Sequence, residues 1–212
     1  MRFRQIVEYK RPSGGGKGAQ NAITPDVEAA VNHSVQALCI GDQLRHQFYE
    51  LGWEALSEGH FSIVFTKPNL PYVLKVNQQS DKPFQHFVEL SKRYPNRHFP
   101  KISAVKQIEY DEETFYIYTI EKLNKIKTSF DLYRFADTIE KIAIAPDLYL
   151  ETILNNVRRI SEEEKQWFRD HPGLVKAARL VGKEKQWTTI DIHDENIMQR
   201  KDGTIVIIDP YV

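Results

Sequence analysis

Three oxygen-bearing side chains late in the sequence have the types and the spacing to hold a metal ion and to handle a hydroxyl group. Asp191 and Asn196 stand as D-x-x-x-x-N, so a short loop can present a carboxylate at one end and an amide oxygen at the other. Asp209 follows Asn196 by thirteen residues, past a hairpin whose second arm, Ile205, Val206, Ile207 and Ile208, is apolar enough to be buried and to fix that carboxylate. Hard oxygen ligands of this kind suit Mg²⁺. A carboxylate beside a hydroxyl, with two oxygen ligands on Mg²⁺, forms part of what phosphoryl transfer from ATP requires. The other parts are a cation on the α and β phosphates and a close-fitting backbone over them. As a plainer alternative, Asp and Asn populate turns, and the same three residues would serve as turn and cap residues of an ordinary hairpin.

The elements that must position these residues follow from periodicity. From Trp53 to Leu123 the pattern repeats every second residue in ALSEGHFSIVFTK, YVLKVN, KISAVKQIEY and TFYIYTIEKL, with Pro, Asn and Asp between, which predicts four or five antiparallel strands. One helix interrupts them in DKPFQHFVELSKRY, with Asp81 placed to cap it, Pro83 near its start, and Phe84, Phe87, Val88 and Leu90 on its buried side. Helical spacing takes over from about Ser129 to Lys185, and Ser161 with Glu164 reads as a capping box. IDIHDENIMQR, a turn at Lys201, Asp202 and Gly203, and TIVIIDP then predict a closing hairpin.

Ahead of all this, residues 1–10 alternate loosely enough for an edge strand, and Arg11 to Asn21 reads as a flexible glycine linker. Gly14, Gly15, Gly16 and Lys17 lack both the Ser or Thr after the lysine and the preceding strand that a phosphate-binding loop needs. Thr24 and Pro25 open a helix running to about residue 38, and a second helix over Leu44, Phe48 and Leu51 ends near Gly52.

Composition narrows the classes. With 41% hydrophobic and 27% charged residues the chain is an ordinary globular sequence, not a disordered or collagen-like one. Lys plus Arg balances Asp plus Glu at 29 each, so no global field draws it to nucleic acid or to an anionic membrane. The single cysteine, Cys39, fits a reducing compartment, and the first residues carry no apolar run of the signal-peptide kind. No stretch of about 18 apolar residues is present, so the expectation is a cytoplasmic protein with no nucleic-acid partner and no membrane span.

The segment DIHDENIMQRKDGTIVIIDP resembles the catalytic loop and metal-binding strand of protein-kinase-like phosphotransferases, a superfamily that includes short kinase-like proteins of bacteria and their phages. Its D-x-H-x-x-N form is similar to the aminoglycoside phosphotransferase side of that superfamily. The resemblance spans about residues 55 to 210. It implies an α+β, two-lobed kinase-like fold with an antiparallel sheet in the first lobe, a shortened helical second lobe, and ATP with Mg²⁺ between them. SEGHFSIVF resembles a degenerate glycine-rich loop, with Gly59 kept and Val64 under the adenine; YVLKV resembles the strand bearing the phosphate-contacting lysine, here Lys75, with Glu89 on the next helix to pair with it. TIEKL stands where the hinge stands, so the backbone from Glu121 to Leu123 would meet the adenine edge.

By the same resemblance Asp191 would be the catalytic carboxylate, Asn196 and Asp209 the metal ligands, and His193 a phosphate contact. Bland readings stand beside several of these. Lys75 would also suit an outward-facing strand position, Glu89 a surface pair with Lys92 or Arg93, and His193 a place packed inside the loop. Trp53, Trp167 and Trp187 read as core or lobe-interface residues.

Two departures from the family pattern shape the expectation. Thr189 and Ile190 stand where many protein kinases have His and Arg, and after Asp209 come only Pro210, Tyr211 and Val212, without the activation segment or later helices. The expected organisation is an accessory segment over 1–52, a first lobe over 53–124 and a shortened second lobe over 125–212. The expected activity is Ser/Thr protein phosphorylation, with a homodimer or a partner protein completing the shortened lobe. A kinase-like module that binds a partner protein and a small-molecule phosphotransferase are the rival readings.

Overall fold

The computed structural model describes His46 and residues 48–59, 62–110, 113–185 and 188–212. The linker expected at residues 11–21 and the helix expected at 25–38 lie outside the described residues, as does Trp187. The chain is α+β and divides into two compact units, one reaching to Asp81 and including Lys101–Lys122, the other formed by Lys82–Pro100 and Leu123–Val212.

The first unit is an antiparallel sheet of β1 (Glu54–Glu58), β2 (Ser62–Thr66), β3 (Tyr72–Gln78), β4 (Ile102–Tyr110) and β5 (Glu113–Glu121), in the order β1-β2-β3-β5-β4. These segments are strands because their β-branched and aromatic residues alternate at period two, with Pro and Asn at the breaks. β3 lies at the centre and is buried along its middle on both faces. Leu74 and Val76 face a core of Phe48, Trp53, Phe65 and Ile117; Val73, Lys75 and Asn77 point the other way.

Phe48 reaches that core from the helical residues 48–50, and the helix stops where the sequence places a glycine. Gly52 takes φ +78°, its N–H donates to Tyr49 O at 2.9 Å, and Trp53 N–H donates to Phe48 O at 2.8 Å. This is the paired 5→2 and 6→1 bonding of a Schellman end. Its hydrophobic contact is the edge-on Phe48–Trp53 pair at 6.2 Å, and Phe48 stacks on Phe65 at 4.0 Å.

The second unit comprises α1 (Lys82–Arg93), α2 (Leu132–Ile144), α3 (Leu150–Asn156), α4 (Glu162–Asp170), α5 (Pro172–Lys183) and the hairpin of β6 (Ile197–Gln199) with β7 (Ile205–Ile207). Asp131 caps α2, accepting from Arg134 N–H at 3.1 Å. The capping box on α4 is complete: Ser161 Oγ accepts from Glu164 N–H at 3.1 Å, and Glu164 accepts in return from Ser161 N–H at 2.8 Å. Phe135, Ile139 and Ile142 of α2 and Leu174, Ala178 and Val181 of α5 are buried, and these two helices pack together. At Gly182 the approach is so close that a Cβ would stand 1.8 Å from Ala143 O. Among the described residues no helix is long and apolar enough to cross a membrane.

Candidate functional site

In the second unit the β6–β7 hairpin does most of the positioning. Ile197 pairs with Ile207, and beyond this last pair Ile208 N–H donates to Asn196 O at 3.0 Å. Asn196 and Asp209 therefore leave the same end of the hairpin. The chain then doubles back beside the approach to the loop: Asp191 N–H donates to Pro210 O at 2.8 Å, and Ile190 bridges Tyr211. Buried apolar residues on either side of the polar ones, Ile190, Ile192, Ile197 and Ile205–Ile207, hold the arrangement in place. Asp191, Asn196 and Asp209 are thus gathered at one end of one hairpin.

Between Asp191 and Asn196 the loop closes on itself. Residues Asp194–Asn196 form a 3₁₀ turn, and Asn196 N–H donates to His193 O at 3.0 Å. The Asn196 amide nitrogen donates to Asp191 O at 2.8 Å and lies 3.0 Å from His193 Nε2. With its nitrogen so engaged, the amide oxygen of Asn196 is turned away from these partners, the donor type a hard cation takes. An amide oxygen from Asn196 and a carboxylate from Asp209 fit Mg²⁺. The His193 ring accepts from Glu195 N–H at 3.2 Å and stands 3.7 Å from Asp191 Oδ2, so it sits among groups of the loop itself. The Asp191 side chain keeps 44% of its surface exposed, which leaves it open to a reactant.

Glu140 on α2 also meets this loop, and no motif in the sequence marks it. Burial pushes its carboxyl above the usual range, the charges of Asp137 and Asp191 add to the effect, and the Ile192 N–H and Lys141 oppose it. Asp137 is itself paired with Lys141 at 2.7 Å. The only sequence signal for Glu140 is its place among the inward residues of an amphipathic helix, which does not say what it faces.

In the first unit, the β2–β3 register sets Val64 opposite Lys75, and the β3–β5 register sets Tyr118 on the other side of Lys75. Lys75 is only 7% exposed, so it is no solvated outward-facing strand residue. A charge at that burial demands polar or anionic company. Gly59 lies between β1 and β2, donating to Ser62 O at 2.8 Å; among the described residues a Cβ there would meet Ser62, at an ordinary 3.5 Å. The Glu121 carboxylate accepts from Lys101 N–H at 2.7 Å and ties the end of β5 to the approach to β4.

Leu123 opens the long segment of the second unit, just before Asn124, which exchanges backbone bonds of 2.8 and 2.9 Å with Gln199. Glu89 is exposed on α1 and its charge acts on Lys92, one of the surface partners its spacing allowed.

Residues 21–212 match the family model described as Bacteriophage T7 protein kinase 0.7. Comparison with curated proteins returns no match.

Proposed function

We propose, because the chain belongs to the Bacteriophage T7 protein kinase 0.7 family, that it transfers the γ-phosphoryl group of ATP to a Ser or Thr hydroxyl on a protein, using Mg²⁺. The observation that carries this reading is the gathering of Asp191, Asn196 and Asp209 at one end of the β6–β7 hairpin. A kinase-like fold of two lobes, the first containing the five-stranded sheet, is part of the same proposal.

Asp191 would orient the acceptor hydroxyl and take its proton as the oxygen–phosphorus bond forms and the bond to the leaving ADP breaks. Its carboxylate has the exposure this needs, while its backbone is pinned from both sides, by Pro210 O and by the Asn196 side chain. Asn196 and Asp209 would hold Mg²⁺, which when bound neutralises charge on the phosphates. Water and phosphate oxygens would complete its shell, since Mg²⁺ commonly takes only one or two protein carboxylates.

Lys75 would hold the phosphates, and Gly59, without a side chain, would let the backbone approach them. Val64, on the same sheet face as Lys75, and the backbone of Glu121 to Leu123 would meet the base. His193 would hold the loop in shape. The balanced charge and single cysteine support work in the cytoplasm on a protein partner.

The test is incubation of the pure protein with γ-labelled ATP and Mg²⁺ in cell extract. Wild type is expected to label protein on Ser or Thr and Asp191→Ala to label none. Equal labelling by both, or none by wild type, would sink the reading.

A further inference from the structure

Tyr211 is buried, yet the proposed chemistry gives it no part. Its hydroxyl donates to Val181 O at 2.8 Å, one of the last carbonyls of α5, which lack partners within their own helix. Burial, with the charge of Glu184 nearby, pushes this phenol far above the usual tyrosine value, so it is a neutral donor at any working pH. Its ring lies 5.3 Å from that of His86 and meets Phe87 edge-on at 6.3 Å, both on α1.

His86 is held in turn. Its Nε2 bonds to Glu184 O, and the Glu184 carboxylate accepts from Tyr94 Oη at 3.1 Å and from Arg93 at 3.3 Å. Helix α1, which carries Glu89, is therefore fastened to the end of α5 by its own side chains and rests on the Tyr211 ring. On its other side, Tyr211 is fastened to the reacting loop. It bridges Ile190, and the Pro210 carbonyl beside it holds the Asp191 N–H at 2.8 Å. Asp209 lies two residues before it. One ring thus joins α1 to the backbone that aims Asp191 and Asp209.

We propose that Tyr211 is a positioning residue for phosphoryl transfer, its ring setting the Asp191–Asp209 backbone against helix α1. This rests on the phosphotransferase reading above. Two variants separate ring from hydroxyl: Tyr211→Phe keeps the ring and loses the bond to Val181 O, whereas Tyr211→Leu loses both. Both are expected to lower the thermal midpoint. In γ-labelled ATP transfer to cell-extract protein, the Phe variant should keep most of the saturating rate, while the Leu variant should lose roughly 10- to 100-fold, as misplacement of a reacting group does. The ATP concentration for half-saturation should barely move in either.

Amide hydrogen exchange supplies a readout independent of activity. The Asp191 amide and the amides of α1 should exchange faster in the Leu variant and as in wild type in the Phe variant. A Leu variant with wild-type exchange at Asp191 and along α1 overturns the proposal. So does loss of rate in both variants in proportion to lost stability. Should wild type transfer no phosphate, the phosphotransferase reading fails by itself, and the exchange comparison still decides whether Tyr211 fixes the loop.

Discussion

At Asp191 the backbone and the carboxylate are held by different means, and this makes the residue testable without disturbing its surroundings. Its N–H goes to Pro210 O and its carbonyl accepts from Asn196, and neither bond involves the carboxylate. Asp191→Asn should therefore leave the unfolding free energy within about 0.5 kcal/mol of wild type while lowering the transfer rate by about 10²- to 10⁴-fold. Rate measurements paired with denaturant titration check both halves, and a variant that lost rate only by unfolding would remove Asp191 from the chemistry. The D-x-x-x-x-N spacing was legible in the sequence because a short loop and a hairpin are local structures. Glu140 and Tyr211 were not, since each reaches the loop from an element whose packing no local pattern specifies.

His98 shows the same limit in a residue with a structural role. It is buried, its Nδ1 is 2.8 Å from Ile205 O, and burial holds its pKa below the usual histidine value, with the charges of Arg97, Arg200 and His171 adding to the effect against the bond to Ile205. Between the lowered folded value and an unfolded value of about 6.5 the unfolded chain binds the extra proton, so stability rises with pH through that window and falls as acid is added. Unfolding free energies from denaturant titrations between pH 8 and pH 5 should decline below about pH 6.5, by at most about 1.4 kcal/mol per pH unit from this group. His98→Gln, which removes the titration, should flatten the decline; an unchanged profile would mean that other groups govern it.

Among the elements, those built from local signals matched their expectation. The strands in YVLKVN and TFYIYTIEKL, the buried side of α1 and the capping box at Ser161 all follow from periodicity or from contacts a few residues apart. What the box sequence does not reveal is that Glu164 is also bonded to Arg134 at 3.0 Å, thirty residues away. Burial works to raise the Glu164 carboxyl, yet the Ser161 and Arg134 bonds bring it below the usual glutamate value.

Gly182 is the clearest case of a residue whose reason is tertiary. In a helical pattern a glycine counts as a weakness, and replacing it by alanine gains roughly 1 kcal/mol of helix propensity. Here the added Cβ would lie 1.8 Å from Ala143 O, a backbone atom of a packed helix that cannot step aside as a side-chain tip would. Gly182→Ala should lower stability by about 1–3 kcal/mol despite the better propensity, read as a lower midpoint of chemical denaturation. A stabilised variant would show that α2 and α5 can separate at no great cost. The assignment of α1 to the same compact unit as α2 and α5 was likewise invisible in sequence, because the helix lies between strands that belong to the other unit.

At the scale of the whole molecule, charge and ligand binding have to be considered together. The chain is neutral overall, with 29 basic and 29 acidic residues, so attraction for a polyanion such as ATP must come from local groups and not from a general field. Mg-ATP at one hundred times its dissociation constant should then add about 2.7 kcal/mol, which in a chain of this size is a rise of roughly 5–10 °C in the thermal midpoint. Lys75→Ala and Asp209→Ala each remove a group to which the proposed function gives a part in binding Mg-ATP. Each should therefore reduce the shift, Asp209→Ala doing so when Mg²⁺ is present and having little effect on what ATP achieves without it. Thermal scans of the three proteins with ATP alone, Mg²⁺ alone and both together separate these contributions. A wild-type shift untouched by either substitution would place the nucleotide elsewhere on the molecule, and loss of the shift in Lys75→Ala alone would take the metal away from Asp209.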